Sequence, residues 1–150
     1  MTSTAVHART SANLHAVHAG IEISIERDPA SAPEQLTASD AAWPARLRRI
    51  VRAALNLWGR PDLAETAELL TTELVTNAFR HGTGPDVGFR LYLCGDHLVI
   101  EARDGSPALP QLRSASPDDE NGRGLFLVNA MADAWGTSLD GTTTWCSLSL

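Results

Sequence analysis

Alternating hydrophobic and polar positions predict five strands in this chain. Each alternating run places its hydrophobic residues on one face of a sheet and its polar residues on the other. Two-residue turns, Gly95-Asp96 and Asp140-Gly141, join the second strand to the third and the fourth to the fifth. The predicted strands are residues 21–26, 87–94, 97–104, about 135–139 and 142–150.

Hydrophobic residues spaced three and four positions apart predict three helices. We expect Asp40 to cap the first helix, Gly59 to stop it, and Gly82 to end the second. The predicted helices are residues 40 to about 58, 61–81, and a third from residue 122 onward. The expected buried positions are Leu47, Ile50, Val51, Ala54 and Leu55 in the first helix and Leu63, Leu69, Leu70, Leu74, Val75 and Ala78 in the second.

The order of these elements indicates an α+β fold. We expect a two-layer α/β sandwich in which the helices cover one face of a mixed, mostly antiparallel sheet. Residues 1–20 are small and polar without a lasting period, which predicts a flexible tail before one domain at 21–150. Prolines and acidic residues predict a mobile loop at 106–120.

Histidine and cysteine are too scattered to predict a metal centre made of these residues. His7, His15 and His18 lie in the polar tail without a cysteine or carboxylate framing them, so we expect them to be solvated. Cys94 and Cys146 lie in strand-like runs without metal-type spacing. Buried free thiols are the expectation for both.

The charge balance narrows the classes of partner. The net charge is −6 and the isoelectric point is about 5.2, whereas proteins that neutralise nucleic-acid phosphates are usually basic. No apolar run approaches the roughly 20 residues of a membrane helix, and the N-terminus lacks the order of a signal peptide. We expect a cytoplasmic protein that binds neither nucleic acid nor membrane.

All 12 cationic residues are arginine, and the chain has no lysine. A P-loop, the strand lysine of an ordinary protein kinase fold, and a Schiff base with pyridoxal phosphate are therefore excluded. Any phosphate binding must use backbone amides, arginine or a metal ion.

Arginines also cluster in the first predicted helix, mostly off its apolar stripe. They are Arg46, Arg48, Arg49 and Arg52. Two interpretations remain open: ordinary solvated charges, or a docking surface for an acidic partner.

The second helix carries the most informative polar pattern. Glu73, Asn77 and His81 follow one another at four-residue spacing, which places them on one side of a helix. An amide oxygen suits a magnesium ion that bridges phosphates, and a carboxylate can accept a proton from an attacking hydroxyl. The alternatives are an ordinary exposed helix surface and, for His81, a simple interaction with the helix dipole.

Two later motifs complete a candidate nucleotide site. Asp104, at a strand end before Gly105, can accept the exocyclic amino group of adenine, or it can be an ordinary turn aspartate. Gly122-Arg123-Gly124 precedes a predicted helix whose free N–H groups suit an anion such as triphosphate. The alternative there is a flexible hinge with a solvated arginine.

In this order, the motifs resemble the GHKL ATPases, the superfamily of the gyrase, histidine kinase and MutL ATP-binding domains. The resemblance is closest to small actinobacterial anti-sigma factor serine/threonine kinases and covers about residues 41–150. It is carried by Trp58-Gly59, by Glu-Leu-Val-Thr-Asn-Ala-Phe-Arg-His at 73–81, and by Gly-Arg-Gly-Leu at 122–125. It implies a Bergerat-type ATP-binding fold with ATP and Mg²⁺ as cofactors.

The resemblance also implies roles for individual residues. Asn77 would match the magnesium ligand, Glu73 the general base and Asp104 the adenine reader. The other implied nucleotide-binding residues are His81, Ser106, Gly122, Arg123, Gly124, Leu125 and either Thr143 or Thr144. Ser106 stands where the wider superfamily has a second glycine, and no lysine precedes Trp145 as it often does in the family.

The activity that the resemblance implies is an ATP- and magnesium-dependent serine/threonine protein kinase. Its substrate would be a STAS-domain anti-sigma factor antagonist, and it would hold a sigma factor when the antagonist is absent. The alternative is a non-catalytic module that binds ATP to set its shape for a protein partner. A histidine kinase catalytic domain would need an upstream phosphoacceptor helix pair, which the first forty residues do not suggest. Related kinases pair as dimers, so a homodimer is compatible with the resemblance.

Overall fold

The order of helices and strands follows the sequence pattern. The computed structural model describes residues 17–32, 34–105 and 120–150, without the side chains of 120–124. In chain order the elements are β1 (Val17–Glu26), α1 (Ala38–Ala41), α2 (Trp43–Leu57), a 3₁₀ turn (Pro61–Leu63), α3 (Ala64–His81), β2 (Asp86–Cys94), β3 (His97–Arg103), α4 (Glu120–Met131), β4 (Ala134–Thr137) and β5 (Thr143–Ser149).

The strands of the described ranges form one five-stranded sheet in the order β1-β2-β3-β5-β4. Each of these pairings is antiparallel, so the parallel component of the expected mixed sheet is not seen. Strand residues such as Ile25, Phe89 and Ile100 share one buried core with residues of α2, α3 and α4. Helix α3 lies on the sheet, and α2 and α4 pack against it. The predicted two-layer α+β sandwich is confirmed.

Strand β1 begins four residues before the predicted start, at Val17 instead of Ile21. Its backbone pairs with β2 along its whole length, from Val17 opposite Cys94 onward. Pairing with β2 therefore sets the length of this strand, and the isoleucine alternation marks only its second half. His18 is exposed on β1. Residues 1–16, with two of the three tail histidines, lie outside the described residues.

The first long helix starts differently from the prediction. Thr37, and not Asp40, is the N-cap, and its hydroxyl accepts a hydrogen bond from the N–H of Asp40 (3.3 Å). Asp40 is buried, and its carboxylate accepts hydrogen bonds from the N–H of Asp28 (3.2 Å) and the hydroxyl of Ser31 (2.6 Å). Asp40 therefore bonds back to the segment between β1 and α1. The short α1 is separate from α2, which begins at Trp43.

Two of the α2 arginines form hydrogen bonds to α3. Arg52 forms two hydrogen bonds with the carboxylate of Glu68, at 3.0 and 2.5 Å. Arg48 donates to the hydroxyl of Thr72 at 3.0 Å. Arg46 and Arg49 are exposed, and the docking-surface hypothesis stays a prediction for the whole arginine cluster.

Most of the predicted helix positions lie in the core, and Leu69 is an exception. Its side chain is 38% exposed, whereas the next residue, Leu70, is fully buried. Successive helical residues are about 100° apart around the axis, and this rotation takes Leu69 off the buried face that Leu70 shares with Leu74. Ile50 and Leu63 are partly buried at the edge of the same core.

The hairpins, the thiols and the last helix show smaller differences. Gly95 and Gly141 adopt positive φ at the two predicted turns. Neither Cys94 nor Cys146 forms a disulfide, but only Cys146 is buried, and burial raises the pKa of its thiol to about 12. Helix α4 begins at Glu120, two residues early, so the last residue of the loop predicted at 106–120 is helical, and residues 106–119 lie outside the described residues.

Among the described helices, none combines the length and the apolar character that a membrane span requires. The cytoplasmic location stays a prediction.

Candidate nucleotide-binding site

The three polar residues predicted in the second helix lie along one flank of α3. Glu73 and Asn77 are half-buried beside the buried face, and His81 is exposed in the last turn. Glu68 and Thr72, which bond to α2, lie on the other flank of the helix. The half-buried pair therefore faces away from α2, along the side of the helix layer that α2 leaves uncovered.

Asp104 is held directly beside the end of α3. Its N–H donates to the carbonyl of Thr142 (3.0 Å), and its own carbonyl accepts from the N–H of Gly84 (3.3 Å). A Cβ added at Gly82 would lie only 2.8 Å from the Cβ of Asp104. Gly105 adopts φ +73°, and a Cβ there would lie 3.2 Å from the Cα of Gly84. Glycines thus allow the segment after α3 to meet the segment after β3 backbone to backbone.

Strand register decides which predicted threonine shares a face with Asp104. Ala102 pairs with Thr144 and Arg103 pairs with Thr143. Paired residues of antiparallel strands point to the same face, and residues two apart on one strand do so as well. Ala102 belongs to the core on the helix side. The register therefore places Thr144 on the face of Asp104, and Thr143 on the opposite face.

The glycine-rich motif lies inside α4, whereas the sequence pattern placed it before the helix. Gly122, Arg123 and Gly124 follow Glu120, the first helical residue. The first four N–H groups of a helix, counted from the N-cap residue, have no acceptor within it, and that of Gly122 is among them. Leu125 is buried, and α4 packs against α3, which carries the polar flank. Ser106 lies outside the described residues.

Comparison with known proteins supports a nucleotide site. A family model described as the histidine kinase-like ATPase domain matches residues 36–149. The chain belongs to this family. The match contains Glu73, Asn77 and Asp104, and it implies ATP binding. No curated protein matches the chain.

The donors on α3 fit the magnesium ion that usually accompanies ATP in the histidine kinase-like ATPase family. Within the described ranges, no cluster of three or more His, Cys, Asp or Glu residues is arranged to hold a metal ion. Magnesium that bridges phosphates needs only one or two protein oxygens, because phosphate and water supply the others. The half-buried amide of Asn77 can supply one such oxygen, one helical turn from Glu73.

The structure brings some of the candidate residues together and separates others. His81 and Asp104 lie near the same end of α3. Glu73 precedes His81 by eight residues, which is about 12 Å along the helix axis at 1.5 Å per residue. In the histidine kinase-like ATPase domain of this chain, α3 therefore spans the distance between Asp104, the predicted adenine reader, and Glu73, the predicted base.

One residue that bonds to the end of α3 beside Asp104 belongs to none of the sequence motifs. Arg27, just after β1, donates hydrogen bonds to the carbonyls of Phe79 (2.5 Å), Ala78 (3.0 Å) and Gly84 (3.0 Å). Its partners are more than fifty residues away in sequence, so no local spacing could have revealed them. It also precedes the range that the family model matches.

Proposed function

We propose that this histidine kinase-like ATPase domain is an ATP- and magnesium-dependent serine/threonine protein kinase of the anti-sigma factor type. It would phosphorylate a STAS-domain anti-sigma factor antagonist and regulate a sigma factor. The observation that most supports the proposal is the half-buried pair of Glu73 and Asn77 on the α3 flank that faces away from α2. The choice of partner rests on the resemblance of the motifs to those kinases.

Adenine recognition would fall to Asp104. Its carboxylate can accept the exocyclic amino group of adenine, whereas guanine presents an oxygen at the equivalent position. Because Asp104 is held between the backbone of Gly84 and that of Thr142, its main chain is fixed before the base arrives. Thr144 shares the face of Asp104 and would be the threonine that supports it.

Phosphate binding would use groups other than lysine. The free N–H groups in the first turn of α4 and its dipole favour the negative charge of a triphosphate. Asn77 would hold the magnesium ion, which, when bound, offsets the charge of the phosphate oxygens.

The chemical step would depend on Glu73 as general base. Its carboxylate would accept the proton of the substrate hydroxyl while that oxygen forms a bond to the γ-phosphorus and the bond to the ADP oxygen breaks. The remaining catalysis is positioning and electrostatic stabilisation.

Transfer of labelled γ-phosphate to purified STAS-domain antagonists tests this function. We expect wild-type protein to label an antagonist, and an antagonist with alanine at the acceptor serine or threonine to stay unlabelled. Glu73→Ala and the isosteric Glu73→Gln should keep ATP affinity and lose roughly 10²-fold or more of the transfer rate. Full transfer by either variant would remove Glu73 as the base.

The same assay separates the alternative function. A wild-type protein that binds ATP with magnesium, but labels none of the antagonists, would favour the non-catalytic module that uses ATP to set its shape. Asn77→Ala serves as the reference for lost magnesium binding: we expect it to lose magnesium-dependent ATP affinity while its circular dichroism stays unchanged.

A further inference from the structure

We infer that Arg27 is a positioning residue for adenine recognition, because it holds the end of α3, the loop after it and Asp104 in one arrangement. The inference rests on the proposed function, since it assigns a role to Arg27 within the same nucleotide site. Arg27 lies outside the range that matches the family model. A residue beyond the matched domain therefore contributes to the site inside it.

The first argument is the number and origin of the carbonyls that Arg27 binds. Two of them, those of Ala78 and Phe79, belong to the last turn of α3. The carbonyl of Ala78 also accepts from the N–H of Gly82 (3.0 Å), whereas that of Phe79 is one of the last carbonyls, which have no partner within the helix. The third belongs to Gly84 in the following loop. The guanidinium is planar and rigid, so donating to both elements fixes the distance between them. A cation at a helix C-terminus is also favoured by the helix dipole.

The second argument is the continuity of these contacts to Asp104. Gly84 accepts from the Nε of Arg27 through its carbonyl and donates through its N–H to the carbonyl of Asp104. A Cβ at Gly82 would lie 2.6 Å from Nη2 of Arg27 and 2.8 Å from the Cβ of Asp104. The guanidinium and the adenine aspartate therefore flank the same glycine.

The third argument is that Arg27 itself is fixed. Its guanidinium carbon lies 5.6 Å from the ring centre of Phe79, a side chain that is 1% exposed. Its backbone N–H donates to the carbonyl of Pro85 at 2.8 Å. Because both its backbone and its side chain are held, Arg27 can restrain the loop. A mobile surface arginine would move together with the loop and would not restrain it.

The test compares binding of magnesium-ATP with binding of magnesium purine riboside triphosphate, which lacks the 6-amino group that Asp104 would accept. The proteins are the full-length wild type, Arg27→Met, Arg27→Lys and Arg52→Met, titrated in a calorimeter. Arg52 is the matched control because its guanidinium also donates hydrogen bonds, two against the three of Arg27, but to a helix-surface carboxylate away from this loop.

We expect the wild type and Arg52→Met to prefer ATP over the analogue equally. Arg27→Met should weaken ATP binding by roughly tenfold with little change in the affinity for the analogue, so the preference is lost. Arg27→Lys keeps the charge but not the three directed donors. Its preference for ATP over the analogue should lie between those of the wild type and Arg27→Met.

Other outcomes overturn the inference in distinguishable ways. If Arg27→Met prefers ATP as strongly as the wild type does, or weakens both nucleotides equally, Arg27 does not position Asp104. If Arg27→Met does not fold, Arg27→Lys decides by the same criterion. If the wild type binds no ATP or shows no preference, both the proposed function and the inference fail.

Discussion

Helices α2 and α3 both end at a glycine, but for different physical reasons. At Gly59 the backbone turns with φ +74°, and a Cβ there would meet nothing within 4 Å. At Gly82 the backbone is extended, with φ −72° and ψ 147°, which any residue can adopt. A Cβ at Gly82, however, would lie 2.5 Å from the carbonyl oxygen of Ala78. Gly59 is required for its conformation and Gly82 for its lack of a side chain.

The two ends also satisfy their carbonyls differently. After α2, the N–H groups of Gly59 and Arg60 bond back to the carbonyls of Asn56 and Leu55, which is a Schellman arrangement made by the local chain alone. After α3, the N–H of Gly82 bonds to the carbonyl of Ala78, and the distant Arg27 supplies further donors to that carbonyl and to the carbonyl of Phe79. One end is a self-contained stop, and the other is a junction between a helix, two strand ends and the candidate site.

The largest effect should come from Gly82→Ala. Because the new methyl group would press on the helix backbone, on Arg27 and on Asp104, we expect unfolding to become easier by about 3 kcal/mol. Relief of the clash must move Asp104 or the helix end, so ATP affinity should fall as well. Urea denaturation and calorimetric titration measure the two effects. A variant as stable as the wild type would show that the junction has space for a methyl group, contrary to the structure.

The matched substitution Gly59→Ala should cost less and leave the site unaffected. Its penalty is the strain of alanine in the left-handed region, about 1 kcal/mol, and Gly59→Asn should cost less still because asparagine tolerates that region. ATP affinity should equal that of the wild type. If Gly59→Ala destabilises the protein more than Gly82→Ala does, it is wrong that Gly59 is required only for its conformation and Gly82 for the space beside it.

The smallest effect concerns an arginine–aspartate pair beyond each helix end. Asp86 accepts from Arg103 at 2.6 Å, which holds the pKa of its carboxyl below the usual range, and Asp62 is exposed beside Arg60. Since its folded-state pKa is lowered, Asp86 stabilises the fold above the unfolded pKa of about 4, and this contribution is lost as the pH falls through the folded pKa.

Asp86→Asn should therefore be less stable than the wild type by under about 1 kcal/mol at neutral pH, because the pair is partly exposed. The difference should shrink as the solution is acidified. Asp62→Asn is the control and should show a smaller effect at every pH, by urea denaturation from neutral to acidic buffers. A difference for Asp86→Asn that grows toward low pH would contradict this assignment.

Sequence pattern predicted the architecture well because periodicity and turn chemistry are local. The two hairpins and the positions of Gly59 and Gly82 just after their helices follow from residues that are close together in the chain, whereas the expected parallel component of the sheet is not seen. The prediction of a cap at Asp40 was wrong because the hydroxyl of Thr37 caps the helix three residues earlier. The carboxylate of Asp40 instead accepts a hydrogen bond from Ser31.

The parts of the site that could not be predicted depend on contacts across the fold. Arg27 binds carbonyls more than fifty residues away, and carbonyls leave no mark on a sequence. The choice between Thr143 and Thr144 needs strand register, since a shift of one residue changes the face. Glu73, Asn77 and Asp104 could be proposed because helix spacing and strand ends are visible in the chain, but their roles stay predictions.

The most direct test of the account is calorimetric titration of ATP, with and without magnesium, into wild-type protein and Asp104→Asn, with GTP as the control nucleotide. The account predicts magnesium-dependent binding of ATP by the wild type, no binding of GTP, and loss of ATP binding in Asp104→Asn with an unchanged circular dichroism spectrum. Wild-type protein that binds no ATP, or that binds ATP and GTP alike, would contradict it.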